Sequence, residues 1–180
     1  MAALHSDKRP VLVLRRAPRS KTRAILQFGP LTIPAAIGRS GLTSRKREGD
    51  GATPIACMAL LGGHMRRDRG PLPLSPLKLS AIRRRDLWCD APFHPCYNRP
   101  VKAPFASSHE EMMREDGLYD ICIVLDWNIR MRRQGAGSAI FFHLIRPGYE
   151  PTAGCVAIAR RDMTRLLPHL RRGLHLRVVA

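Results

Sequence analysis

A mainly β domain with one or two short helices is the fold class this sequence predicts. Three observations predict it: apolar runs of strand length, turns marked by Gly and Pro between them, and helical periodicity only near the C-terminus. A chain of 180 residues can bury one proper core, so residues 1–180 are read as a single domain. No stretch approaches the roughly 20 apolar residues that a membrane-spanning helix needs.

The elements follow in order. Val11 to Leu14 is a first strand. Ala24 to Phe28 and Leu31 to Ile37 form a hairpin around Gly29-Pro30, two residues that bend the chain cheaply. From Gly38 to Pro54 the density of Gly and Asp predicts a turn-rich loop, and Ile55 to Leu61 is the next apolar segment. Residues 62–117 have the least periodicity and read as an irregular region with a binding or lid role. Leu118 to Leu125 is a nearly continuous apolar strand. In a strand over Ala139 to Leu144, Ala139, Phe141 and His143 face one way, and Ile140, Phe142 and Leu144 the other. Val156 to Ile158 is another strand. Asp162 is placed to cap a helix carrying Met163, Leu166, Leu167 and Leu170, which Pro168 shortens or kinks. Leu174 to Val179 ends the chain as a strand.

The charge is strongly unbalanced: 31 Lys and Arg against 14 Asp and Glu give +17, with an isoelectric point near 11.2. Such a surface favours polyanionic neighbours. Aromatic residues are only 6%, however, and no run interleaves Arg with stacking rings, so no specific nucleic-acid partner is expected. The apolar stretch near the start, Val11 to Leu14, is too short for the core of a secretory signal, and no export signal is expected from it.

Five cysteines (Cys57, Cys89, Cys96, Cys122 and Cys155) form no CxxC pair. Cys89, His94 and Cys96 have spacings unlike structural zinc knuckles, so incidental thiols or one disulfide are expected there rather than a metal. Cys122 reads as a small core residue. Among the other histidines, His5 and His109 are expected on the surface, and His64 and His94 on the surface or lining a cleft. His169 and His175 flank the terminal helix, half exposed.

One pairing carries chemistry. His143 ends an apolar strand, and Cys155 follows Ala153-Gly154 after a loop. A free thiol ionises near pH 8.5, and a neighbouring imidazole generates its nucleophilic form at lower pH. Gly154 admits a close backbone approach, and amides around Gly154 and Cys155 are candidates for an oxyanion hole. A buried structural Cys beside a core His gives the same letters, so spacing leaves both readings open.

Ser138-Ala-Ile-Phe-Phe-His143 followed by Pro151-Thr-Ala-Gly-Cys-Val-Ala157 resembles the signature of YkuD-type L,D-transpeptidase catalytic domains. Arg47 to Pro54, Tyr97 to Val101 and Leu118 to Asp120 resemble that family's upstream blocks, in order. The resemblance implies a β-sandwich or barrel-like L,D-transpeptidase fold and an acyl-enzyme on Cys155. His143 would be the general base and acid, with no cofactor and no metal. Thr152, Ala153 and Gly154 would form the substrate and oxyanion side. The implied partners are peptidoglycan stem peptides, cross-linked with release of a terminal D-alanine in the periplasm or cell envelope. Family members are typically sensitive to carbapenems. Leu144 and Ala157 stand where many members have Gly and Arg, and Arg146, Arg160 or Arg161 are candidates for the substrate carboxylate. Two alternatives keep their place: a cysteine amidase or carboxypeptidase on wall peptides, and a non-catalytic basic protein that binds anionic polymer.

Overall fold

The computed structural model describes residues 10–71 and 74–180. Its strands are β1 (Val11–Arg16), β2 (Arg23–Phe28), β3 (Leu31–Ala36), β4 (Leu42–Thr43), β5 (Thr53–Pro54), β6 (Cys57–Met65) and β7 (Leu79–Ala81). There follow β8 (Asp86–Cys89), β9 (Arg99–Lys102), β10 (His109–Glu111), β11 (Ile121–Leu125), β12 (Phe141–Leu144), β13 (Val156–Ile158), α1 (Arg160–Leu166) and β14 (His175–Val179). The mainly β reading holds.

The main sheet runs β11-β12-β13-β3-β2-β1-β14-β6-β7, and an added β11–β6 pairing closes it into a barrel. β6 makes closure possible because its nine residues serve several neighbours. Cys57 to Ala59 pair with β14, Gly63 to Met65 with β7, and the opposite edge with β11. Strand β6 thus runs past Leu61, where the sequence reading ended it, through Gly62 and Gly63. A side chain at Gly63 would lie 2.6 Å from the Cys122 carbonyl, so the missing Cβ is what lets β6 and β11 meet.

Alternation fills the barrel. Leu12 and Leu14, Leu26, Ile33, Leu60, Ile121, Ile123, Phe142 and Leu176 all point inward, fully buried or nearly so. Met163, Leu166, Leu167 and Leu170 join the same cluster and plug one end. Pro168 ends α1 at Leu166, and the chain tightens into a 3-10 turn over Leu167–His169. Asp162 is not the expected N-cap. Ala159 holds that position without a side-chain bond, while Asp162 is buried in the first turn beside Arg161 (3.5 Å) and Arg165 (3.7 Å).

Residues 62–117 are more regular than expected. Besides β7 they contribute β8, β9 and β10, a three-stranded sheet in the order β10-β8-β9. This lid lies on the outer face of the barrel, where Ile82, Trp88 and Met112 pack with Tyr119, Cys122, Val124, Phe141 and Cys155 in a second apolar cluster. Its strands are three or four residues long, too short for an alternating pattern to show. All five cysteines carry free thiols, and no helix among the described residues is long and apolar enough to cross a membrane.

Candidate active site

β12 and β13 lie side by side and parallel, with Phe142 opposite Val156 and His143 opposite Ala157. Cys155, one residue before β13, therefore sits beside Phe141, two positions along the sheet from His143. The expected facing is observed: Phe141 and Cys155 join the outer cluster, and Phe142 and Leu144 the inner one. His143 and Cys155 both line one cavity of about 410 Å3 between barrel and lid. The strand starts later than expected, at Phe141, because Ala139 has a left-handed φ of 51°.

The imidazole is fixed by its backbone. Nδ1 of His143 lies 2.7 Å from the Leu144 carbonyl, which only accepts, so Nδ1 carries the hydrogen and Nε2 is the basic nitrogen. The Tyr119 ring packs edge-on against it at 5.3 Å. Tyr119 donates to Glu110 at 3.3 Å, and the Arg114 guanidinium covers its ring at 5.2 Å.

The thiol has two partners: it donates to the Ala139 carbonyl (3.2 Å) and accepts from the Phe141 amide (3.3 Å). Burial pushes the Cys155 thiol up to about 12, and the Phe141 N–H only partly offsets this. Burial likewise pushes His143 down to about 4. At neutral pH the pair is thus a thiol and a neutral imidazole. Both groups are neutral, and they form no ion pair.

Depressing His143 has a consequence for stability. The unfolded chain binds a proton near pH 6.5 and the folded one only near 4, so stability is full above 6.5 and is lost as pH falls through that window. The loss attributable to His143 should reach about 3 kcal/mol by pH 4. Urea unfolding at pH 7, 5.5 and 4 should show a shallower acid slope for His143→Gln than for the wild type. Equal slopes would contradict the assignment.

The turn before Cys155 is built by groups that the sequence placed on the substrate side. Thr152 Oγ donates to the Cys155 carbonyl at 2.7 Å and accepts from the Gly154 amide at 3.2 Å. Thr152 shapes the turn, and Gly154's amide already has a partner. The fold itself needs Gly154: its φ is +142°, and a Cβ there would stand 3.0 Å from the Ala52 carbonyl. Ala153 is exposed at the cavity rim. Thr53, fully buried, accepts from the Gly38 amide at 2.9 Å and donates to the Cys155 carbonyl at 3.3 Å.

Asn98 was not singled out by sequence reasoning. It is 1% exposed, with φ 56°, a left-handed conformation that Asn tolerates better than most residues. Its Oδ1 accepts from Trp88 Nε1 and from the Ala139 amide, both at 3.0 Å, and its Nδ2 donates to the Trp127 carbonyl at 3.1 Å. Asn98 therefore holds the residue whose carbonyl holds the thiol. Glu48 works nearby, accepting from Tyr97 and, at 2.8 Å, from Ser138. The only signal for these residues lay in the upstream blocks Arg47 to Pro54, Tyr97 to Val101 and Leu118 to Asp120, which converge here.

Of the three arginines proposed for a carboxylate, Arg146 lines the cavity, paired with Asp116 (3.3 Å) and Glu150 (3.7 Å). Arg160 pairs with Asp120 and Arg161 with Asp162, and neither reaches the cavity. His64 and His94 do not line it either. His64 faces a different cavity, and His94 accepts from the Cys96 amide at 3.0 Å beside Phe105. His109 is half-buried in β10, His169 and His175 are exposed, and His5 lies outside the described residues. Among the described residues no group of three or more His, Cys, Asp or Glu is arranged to hold a metal.

No curated protein matches the chain. Solved structures similar to it include the crystal structure of Mycobacterium tuberculosis L,D-transpeptidase 1 (14% identity, TM-score 0.41) and the LD transpeptidase LdtMt1 in complex with imipenem (12% identity, TM-score 0.41). Each alignment covers 94% of this chain and 60% or 59% of the other, so the chain spans about three fifths of their length. The profile of the YkuD L,D-transpeptidase catalytic domain matches residues 24–179, from β2 to the last residue of β14. This chain belongs to the L,D-transpeptidase catalytic domain family.

Proposed function

We propose that the chain is an enzyme that transfers acyl groups between peptidoglycan stem peptides through a thioester on Cys155. One observation carries this reading: the Cys155 thiol and the His143 imidazole approach one cavity from the same face of adjacent parallel strands. His143 Nε2 takes the thiol proton as sulfur attacks the carbonyl carbon of the stem's third residue. The tetrahedral oxyanion collapses, the C–N bond breaks, and the imidazolium returns the proton to the departing D-alanine amine. A neighbouring stem's amine then attacks the thioester and gives a proton to Nε2. The C–S bond breaks, and the thiol is restored.

The proton transfer must accompany attack, because burial keeps both groups neutral beforehand. The Cys155 amide would serve as an oxyanion donor, while Gly154's amide is shared with Thr152. The cavity supplies both signs of charge for two peptides. Arg39, Arg114 and Arg146 suit a carboxylate, and Glu48, Glu110 and Glu150 suit an incoming ammonium group. The compartment that goes with this substrate is the periplasm or cell envelope.

The test is chemical. Exposure to a carbapenem should add one acyl mass to the intact chain, and peptide mapping should place it on Cys155. No adduct, or an adduct on exposed Cys57, would end the proposal.

A further inference from the structure

We propose that a second cavity, on the other side of Trp88 from Cys155, binds a carboxylate-bearing peptide that is not the reacting stem. The cavity measures about 660 Å3 and lies between the lid and the strands β6 and β7. Its floor is His64 and Ser80, partners across the β6–β7 pairing. Its roof is the lid pair β8–β9, where Asp86 faces Lys102 and Trp88 faces Pro100.

Charge selects the occupant. Arg67, Lys78 and Arg83 stand exposed at the cavity, and none makes a salt bridge among the described residues. The one lining acid, Asp86, is bound by Lys102 and by the Arg83 amide at 2.9 Å. The rim thus attracts anions, while Trp88, Met112, Leu87 and Val101 supply an apolar wall. A bare anion uses only the rim. A short acidic peptide uses both, its carboxylates at the cations and its aliphatic parts against Trp88 and Met112.

Trp88 joins this cavity to the catalytic one. Its ring meets Phe141 edge-on at 5.1 Å, and its Nε1 donates to the same Asn98 oxygen that holds Ala139. A ligand seated against Trp88 therefore presses on a side chain that itself contacts Phe141 and Asn98. The identity of the peptide rests on the reading above: wall stems are chains of free carboxylates, and a stem held here keeps its strand beside the reacting one.

Trp88 and Trp127 are the only tryptophans, so a Trp127→Phe background leaves Trp88 emission as the reporter. Titration with a stem tetrapeptide should give a saturable change, weakened about tenfold or more by Lys78→Glu with Arg83→Glu. The fully amidated tetrapeptide and inorganic phosphate should each bind far more weakly. Calorimetric titration of the chain without the Trp127 change makes the same comparison. A response that survives the charge reversals, or equal binding of the amidated peptide or phosphate, overturns the second site. The two readings fail separately. Charge-dependent binding without a carbapenem adduct sinks only the acyl-transfer reading, and an adduct without charge-dependent binding sinks only the second site.

Discussion

A Cys155→Ala variant is expected to fold like the wild type while losing acyl transfer by on the order of 10⁴-fold or more. The size follows from the chemistry. Without sulfur there is no covalent intermediate, and a cavity that merely orients two peptides retains only proximity and oxyanion binding. The fold should survive because the side chain is small and its contacts are few. Removal leaves the Ala139 carbonyl and the Phe141 amide without their sulfur partner, at 3.2 and 3.3 Å in the wild type. The packing around it, Phe141, Tyr119 and Trp88, stays. A stability change of about 1–2 kcal/mol is expected. Mass-spectrometric assay of D-alanine release and cross-linked product, run beside thermal melts, separates the two effects. Turnover that survives the substitution would mean the nucleophile is elsewhere.

That Cys155 and His143 share one cavity was legible in the sequence, but the groups that hold them were not. The two-faced character of β12 could be read because apolar residues sit on both sides of it, with His143 falling on the same parity as Phe141. The β2–β3 hairpin was legible for the same reason, with Gly29-Pro30 closing it. That β12 and β13 run parallel was not written in any local pattern. It comes from the connection through residues 145–155, which carries the chain back so that Cys155 lands beside Phe141. The lid escaped detection because β8, β9 and β10 have no core of their own. Their apolar residues pack on the outside of the barrel, so their burial depends on partners distant in sequence. Thr152 and Gly154 stood out in the sequence, but the bonds by which Thr152 shapes the turn before Cys155 did not. A hydroxyl three residues before a cysteine gives no local signal of a turn, and its bonds to Cys155 and Gly154 appear only in the folded chain.

Asn98→Ala should be the most damaging substitution that touches neither reacting group, costing about 2–4 kcal/mol of stability. Three bonds go at once: those from Trp88 Nε1 and the Ala139 amide, and that to the Trp127 carbonyl. All three partners are left in a nearly dry place, and the alanine must also adopt the positive φ of 56° that asparagine bears more easily. Turnover should fall further than stability alone accounts for, by about 10²-fold, through misplacement of the Ala139 carbonyl and with it the thiol. The loss should appear mainly in kcat, since Asn98 does not line the cavity that Cys155 and His143 share. Asn98→Asp distinguishes positioning from bulk packing. It keeps an acceptor for Trp88 and Ala139 and lacks only the donor to Trp127, so it should recover much of kcat. Equal loss in the Ala and Asp variants, measured by steady-state kinetics on folded protein, would show that Asn98 only fills space.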